Sequence, residues 1–148
     1  VLVALEGKIE VSKRGRRRRI PADQFFTGLM STAREDDELI ESVFFPKKKP
    51  GQGFAFREFS RRHGDFAIVA CAAVADDRGV RLAIGGVADR PVARDLGGLT
   101  GSALAEALDA FAWELEARDD LHATARYRRE LVRRMGSDTI EEARRCRA

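Results

Sequence analysis

The sequence predicts an α+β fold, with strands in the first part of the chain and helices in the last third. Three observations support this class. Short β-branched and aromatic runs bounded by Gly and Pro recur as far as Gly85-Gly86. An apolar stripe at helical spacing follows them, made of Leu104, Leu108, Phe111 and Leu115. The 148 residues, 44% of them hydrophobic, are enough to bury a core.

The composition narrows the classes of function. The net charge is +3 and the pI is near 9.2, and so small a charge does not by itself indicate a nucleic-acid partner. Cys71 and Cys146 suit neither a zinc site nor a disulfide framework, which favours a reducing cytoplasm. No apolar run approaches the roughly 18–20 residues of a membrane helix, so no membrane span is expected. Since the chain does not begin with Met, we expect further sequence upstream of Val1.

The first third of the chain consists of short extended segments and turns. Val1–Glu6 and Lys8–Ser12 predict a hairpin around Gly7, and Glu38–Phe45 predicts a further strand. The segment Pro46–Gly53 contains two Pro, two Gly and three Lys, which predict a linker or a domain boundary.

The next part predicts an antiparallel sheet of about three strands. Phe54–Phe59 and Val80–Ile84 have the composition of strands, and a turn precedes the second of them. The apolar run Phe66–Ala75 lacks a clean alternation, so it predicts either a buried strand or the start of a buried helix.

The last third predicts helices. The first begins at a Ser102 cap, and the second runs from about His122 to Met135 and ends at Gly136. Asp138 followed by Glu141 suits the start of a final short helix.

The second of these helices is rich in arginine. Its apolar stripe is predicted to be Tyr127, Leu131 and Met135, so most of its arginines are expected to point outward. We expect them to pair mainly with acidic residues of the preceding segment, an acidic face of a partner being the alternative. The acidic residues available there are Glu114, Glu116, Asp119 and Asp120.

The run Arg16–Arg19 is the strongest charge feature of the sequence. It lacks the interleaved aromatic residues typical of nucleic-acid binding, and Glu6, Glu10 and Asp23 flank it. We interpret it as a solvated hairpin arm or sheet edge, where charge opposes unwanted strand pairing.

No catalytic or metal-binding constellation is visible. His63 and His122 are the only histidines, and neither has a His, Cys or carboxylate partner at the spacing of metal ligands. We therefore predict no catalytic residue and no metal ligand in this chain.

The segment from Ser60 to Phe66 is the best candidate for a binding site. A tight turn there would place Arg57, Arg62 and Asp65 at one mouth, with Phe66 as an apolar wall. Planar aromatic ligands are commonly held by such a wall and a few polar groups. A purely structural turn is the alternative interpretation.

Five segments spread along most of the chain carry a family resemblance: Ile20–Gly28, Asp36–Pro46, Phe56–Ala67, Leu82–Pro91 and Asp120–Arg129. In that order they resemble the motifs IPADDFF-G, ELLTEIRIP, YxKFxRRxGDxA, IALGGVGxRP and DxxxSxxYRR. These motifs belong to the C-terminal half of the FAD-binding (medium) subunit of molybdenum hydroxylases. This is the family of aerobic carbon monoxide dehydrogenase and xanthine dehydrogenase.

The resemblance implies a domain organisation and a cofactor. Residues 1–50 would be the C-terminal tail of the second FAD-binding subdomain. Residues 51–148 would be the flavoprotein C-terminal domain, a small antiparallel sheet packed with helices. FAD is the implied cofactor. The two Gly-rich loops that hold its pyrophosphate in the family are expected upstream of Val1, so this chain would carry only positions beside the isoalloxazine ring.

Four positions are implied to bind the cofactor: Ile40, Arg57, Asp65 and Phe66. Ile40 matches an aliphatic residue near the flavin. Arg57 stands where the family usually has Lys, a change that keeps the charge but alters hydrogen-bond geometry. Phe66 follows Asp65 in the family-like turn and matches the residue that covers the flavin ring. Arg62 belongs to the arginine pair of the same loop.

The implied function is that of a fragment of a flavin subunit. It would position FAD to pass electrons from 2Fe–2S clusters, held by an iron–sulfur small subunit, to an acceptor. The molybdenum cofactor and substrate oxidation would belong to a molybdopterin large subunit, and this fragment alone would be inactive. Neither nucleic acid nor membrane is an implied partner, and the expected location is the cytoplasm. A scaffold module without flavin and a small basic nucleic-acid-binding protein are the alternatives.

Overall fold

A computed structural model describes residues 1–62 and 64–147, and it contains antiparallel sheets followed by two long helices. The α+β class is therefore confirmed. Among the described residues, no helix combines the length and the apolar character needed to cross a membrane.

The first sheet has the strand order β2-β1-β5, and both pairings are antiparallel. Its strands are β1 (Lys8–Lys13), β2 (Arg16–Pro21) and β5 (Leu39–Phe44). Between β2 and β5 lie the short helix α1 (Ala22–Phe25) and a two-stranded ribbon of β3 (Phe26–Gly28) and β4 (Ser31–Thr32). The small core of this part is formed by Val3, Ile9, Val11, Ile20, Ala22 and Phe25.

The hairpin predicted around Gly7 is wrong. Val1–Glu6 forms turns, and β1 pairs instead with β2. The two residues between these strands, Arg14 and Gly15, have φ values of 47° and 79°. Two positive φ values match the twist of a two-residue hairpin, so the tight turn forms here.

The second sheet has four strands in the order β6-β7-β8-β9, all antiparallel. The strands are β6 (Gly53–Phe59), β7 (Val69–Asp76), β8 (Gly79–Gly85) and β9 (Val92–Gly97). The sequence predicts about three strands and does not predict β9. This edge strand contains Arg94 and Asp95, which are more typical of a polar loop. The ambiguous apolar run is a buried strand that begins at Val69.

Two helices cover one face of the second sheet and enclose the main core. These are α2 (Gly101–Glu114) and α3 (Ala125–Arg145). The predicted α2 stripe is confirmed, because Leu104, Leu108, Phe111 and Leu115 are all buried. On the opposite face, Ala4 from the N-terminal turns packs on Ala72 and Ala83.

Helix α3 continues through Gly136, so both the predicted stop and the separate final helix are wrong. The helix passes so close to the core that a Cβ at Gly136 would lie 3.2 Å from a Leu82 methyl carbon. Glycine here serves close packing, which outweighs its poor helix propensity.

The buried face of α3 lies one residue further round the helix than predicted. Tyr127 of the predicted stripe is 43% exposed, whereas Arg128 is 5% exposed. The buried residues are Arg128, Val132, Gly136, Thr139, Ile140 and Ala143. The expectation that most arginines of this helix point outward is confirmed, and Arg128 is the exception.

Pairing with the predicted acidic residues is confirmed for one of the helix arginines, and two others pair with different acidic residues of the chain. Arg128 pairs with Asp120, one of the predicted acidic partners. Arg133 pairs with Asp109 at 2.6 Å, and Arg134 pairs with Glu130 at 2.6 Å. These last two pairs are exposed, and such pairs stabilise a fold by at most about 1 kcal/mol.

Leu108→Ala tests the position of the main core. Leu108 is 2% exposed, so its truncation should lower the free energy of unfolding by about 2–5 kcal/mol. Leu121→Ala is the matched control, because Leu121 is 97% exposed and its loss should cost within about 0.5 kcal/mol. Urea denaturation of both variants measures the difference. Equal effects would contradict the packing described for α2.

Candidate functional site

Phe66 projects from the loop that joins β6 to β7, and it is 98% exposed. Two backbone hydrogen bonds flank it. The Asp65 N–H donates to the Arg62 carbonyl at 3.1 Å, and the Ile68 N–H donates to the Phe59 carbonyl at 2.7 Å. A large aromatic side chain thus stands in solvent on a loop whose backbone is held on both sides of it.

Arg128, a buried residue of α3, anchors this loop through its guanidinium group. Its Nη1 donates to the carbonyl of Ile68 and to the carbonyl of Gly86, each at 2.7 Å. Its Nη2 donates to the Asp120 carboxylate. One buried guanidinium thereby joins the β6–β7 loop, the β8–β9 loop and the α2–α3 connection.

Gly86 brings the β8–β9 loop against the same backbone. Its φ is 81°, in the left-handed region that favours glycine. A Cβ at this position would lie 2.6 Å from the Ala67 carbonyl oxygen and 3.0 Å from that of Ile68. Only glycine allows so close an approach, and the approach makes both carbonyls of 68 and 86 available to one arginine.

Asp120, in the middle of the α2–α3 connection, completes the network. Its Oδ1 accepts the N–H groups of His122 at 2.8 Å and Ala123 at 2.9 Å. These backbone hydrogen bonds, with the Arg128 guanidinium, lower the pKa of Asp120 to about 2. The carboxylate is therefore ionised over the whole physiological range.

The same connection contacts the β6–β7 loop a second time, through the His122 Nδ1, which lies 3.3 Å from the Arg61 Nη1. His63 lies outside the described residues. Among the residues that the structure describes, no group of three His, Cys, Asp or Glu side chains could hold a metal ion. Burial raises the pKa of the Cys71 thiol to about 12, which leaves it without thiolate chemistry.

Two of the four predicted cofactor contacts lie together. Asp65 and Phe66 are neighbours in the exposed β6–β7 loop, beside Arg62. Arg57 lies on the helix side of β6, where its Nη2 is 2.9 Å from a Glu142 oxygen of α3. The guanidinium of Arg57 is thus engaged by Glu142 and does not point into the loop.

Ile40 lies apart from these residues, on the outer strand of the first sheet. It is 51% exposed on β5, opposite Val11 of β1. Its neighbours along the strand are also exposed and apolar: Leu39, Val43 and Phe44. This edge presents apolar side chains to solvent, and the Arg19 guanidinium lies over the Phe44 ring, 4.2 Å from its centroid.

Sequence reasoning missed Arg128, Gly86 and Asp120 as parts of one site. The signal that could have found Arg128 was its place at i, i+4 and i+8 with Val132 and Gly136, the stripe that is actually buried. An arginine on a buried stripe needs partners, and that need points to carbonyls or carboxylates nearby.

The basic hairpin proves to be a charge-paired arm. Arg17 pairs with Glu41 at 2.9 Å, Arg18 with Glu38 at 2.6 Å, and Arg19 with Glu10 at 2.9 Å. The hydrogen bond from Arg18 makes the largest contribution to lowering the pKa of Glu38 to about 2. This local compensation leaves little of the uninterrupted positive surface that a nucleic-acid site requires.

Comparison with known proteins identifies the family of this chain. The family model of the CO dehydrogenase flavoprotein C-terminal domain matches residues 54–143, and that of the FAD binding domain in molybdopterin dehydrogenase matches residues 1–48. The chain belongs to this family of flavoproteins, which confirms the resemblance.

Particular relatives agree with this assignment. The chain is 38% identical to the nicotine 6-hydroxylase medium subunit of Paenarthrobacter nicotinovorans, over 97% of this chain and 54% of that protein. Carbon monoxide dehydrogenase from Hydrogenophaga pseudoflava superposes with a TM-score of 0.89 at 26% identity, over 99% of this chain and 55% of the matched one. Quinoline 2-oxidoreductase from Pseudomonas putida 86 gives a TM-score of 0.81 at 26% identity, over 97% of this chain and 54% of the matched one. The chain thus spans about half the length of the relatives it matches.

The lowered pKa of Asp120 predicts an acid-sensitive component of stability. Because the folded pKa of about 2 lies below the ordinary 3.8, the ionised group stabilises the fold above pH 4. That contribution is lost as the pH falls through 2. We expect the free energy of unfolding to drop more steeply between pH 4 and pH 2 in the wild type than in Asp120→Asn. Parallel curves from denaturation at a series of pH values would contradict the lowered pKa.

Proposed function

We propose that this protein serves as part of the flavin subunit of a molybdenum hydroxylase, where it holds the isoalloxazine side of FAD. The observation that carries the proposal is Phe66: an aromatic side chain, 98% exposed, on a loop held by a buried arginine. Both matching family models describe FAD-containing flavoproteins, which supports the choice of cofactor.

The described residues fit the ring of FAD better than its phosphates. Phe66 offers an unpacked aromatic face to a planar partner, and the half-exposed Ile40 offers an aliphatic contact. Asp65 lies in the same turn as Phe66 and belongs to the proposed set. A contact between FAD and Arg57 would require its guanidinium to leave Glu142, which lies 2.9 Å away.

Bound FAD would supply the redox chemistry of the subunit. The contribution of this chain is positional. Phe66 would cover one face of the ring and exclude water from it. The hydrogen-bonded backbone on either side of Phe66 would fix the distance between its side chain and the ring. Within the described residues we assign no proton transfer and no covalent step to any side chain.

The proposal includes an organisation and partners. Residues 1–50 would be the tail of an FAD-binding subdomain and residues 51–148 the flavoprotein C-terminal domain. The segment 45–52, which has neither helix nor strand, supports a boundary there. An iron–sulfur small subunit would deliver electrons and a molybdopterin large subunit would oxidise the substrate. The free thiols of Cys71 and Cys146 support a cytoplasmic location.

The isolated chain, residues 1–148, should bind FAD weakly or not at all. The ring contacts do not replace the charge-assisted hydrogen bonds that a pyrophosphate needs, each of which is worth about 1.5–3 kcal/mol. Titration of FAD fluorescence with the purified chain tests this. Tight stoichiometric binding would show that the proposed site is misplaced.

Phe66→Ala in the complete flavin subunit should weaken flavin retention. The loss should be ~1–3 kcal/mol, the range measured for stacking of nucleobases on aromatic side chains. Flavin release and reoxidation should change, whereas substrate oxidation with an acceptor that bypasses flavin should persist. Leu121→Ala is the matched control, because Leu121 is equally exposed but has no proposed flavin contact. Unchanged flavin release in Phe66→Ala would overturn the assignment.

A further inference from the structure

We propose that Arg128 is a positioning residue for the flavin, acting through the loop that carries Phe66. This inference rests on the proposed function for its consequence at the cofactor. Its structural part, a clamp on three loops, stands on the hydrogen bonds of Arg128 alone. The clamp is defined as the Arg128 guanidinium with the carbonyls of Ile68 and Gly86 and the carboxylate of Asp120.

Phe66 depends on backbone anchors because its side chain has almost no packing of its own. At 98% exposure, the side chains that the structure describes around it leave it almost fully in solvent. Its position therefore follows from the backbone on either side, where the Asp65 and Ile68 N–H groups are bonded within the loop. The Ile68 carbonyl is the point at which Arg128 holds that backbone.

Arginine is suited to this task in a way that an apolar residue is not. An arginine on the buried stripe of α3 carries a desolvation cost that a leucine would not. In return, its planar fork reaches several acceptors at once from one fixed orientation. The acceptors used here lie 60, 42 and 8 positions away along the chain. The arginine thus couples three connections that are distant from one another in sequence.

Gly86 supplies an independent reason to regard the clamp as one unit. Its missing side chain lets the β8–β9 loop lie against the Ala67 and Ile68 carbonyls. A side chain at this position would push the two loops apart and draw at least one carbonyl away from Arg128. The same movement would displace Phe66, which directly precedes Ala67.

Arg128→Lys tests the clamp in the chain of 148 residues. A lysine keeps the charge but not the fork, so hydrogen exchange at the Asp65 and Ile68 amides should accelerate about tenfold or more. Arg133→Lys is the matched control on the same helix, because Arg133 pairs with Asp109 and Glu130 and contacts none of the three loops. It should leave both amides unchanged.

Gly86→Ala keeps the test valid if Arg128→Lys fails to fold. It should accelerate the same two amides, whereas Gly85→Ala should not, because a Cβ at Gly85 meets nothing within 4 Å. Unchanged exchange at both amides in Arg128→Lys and in Gly86→Ala would overturn the clamp.

Flavin release from the complete subunit tests the consequence. Arg128→Lys and Gly86→Ala should each accelerate FAD dissociation about tenfold, with a rise in flavin fluorescence as the aromatic cover loosens. In a Phe66→Ala background neither change should add further, since both act through Phe66. Full additivity would overturn the positioning role. If Phe66→Ala alone does not change flavin release, the proposed function fails, and the amide exchange still decides the clamp.

Discussion

The arrangement of the C-terminal part depends on one buried guanidinium. Arg128 donates hydrogen bonds to two backbone carbonyls and one carboxylate. Without it, each of these acceptors would lose that hydrogen bond. Since the three acceptors belong to three different connections, the interaction sets the spacing of a whole end of the domain. A leucine would suit the buried position of Arg128 on α3. The arginine that occupies it instead holds the loop from which the exposed Phe66 projects.

The two parts of the chain use charge in different ways. In the hairpin, Arg17, Arg18 and Arg19 keep their guanidinium groups largely in solvent and pair with Glu41, Glu38 and Glu10, of which Glu38 and Glu10 are buried. The exposed arginines keep an edge strand solvated. At Arg128 the charge is withdrawn from water, so its partners must be complete. Arginine thus serves solvation in the hairpin, whereas in helix α3 it fixes the positions of three loops.

Much of the candidate site could be predicted, but not its support. Phe66 and Asp65 were identified from the turn and the family-like motif, and the structure places both in an exposed loop. The partner of Arg57 could not be predicted, because Glu142 lies 85 positions away on a helix whose orientation the sequence does not reveal. The same reason hid the role of Gly86, which depends on an approach of two loops rather than on its own turn.

By itself, the sequence determined the α+β class, the buried stripe of α2 and the family, since these follow from local periodicity and from motifs in order. Only the tertiary structure decided that Gly136 continues a helix and that Arg128 is buried. Locally, glycine favours a helix end and arginine favours solvent. Both preferences are overridden here by contacts with residues more than 20 positions away, Leu82 and Leu108 for Gly136 and the Ile68 carbonyl for Arg128. Such contacts exist only once the sheet and the helices have packed together.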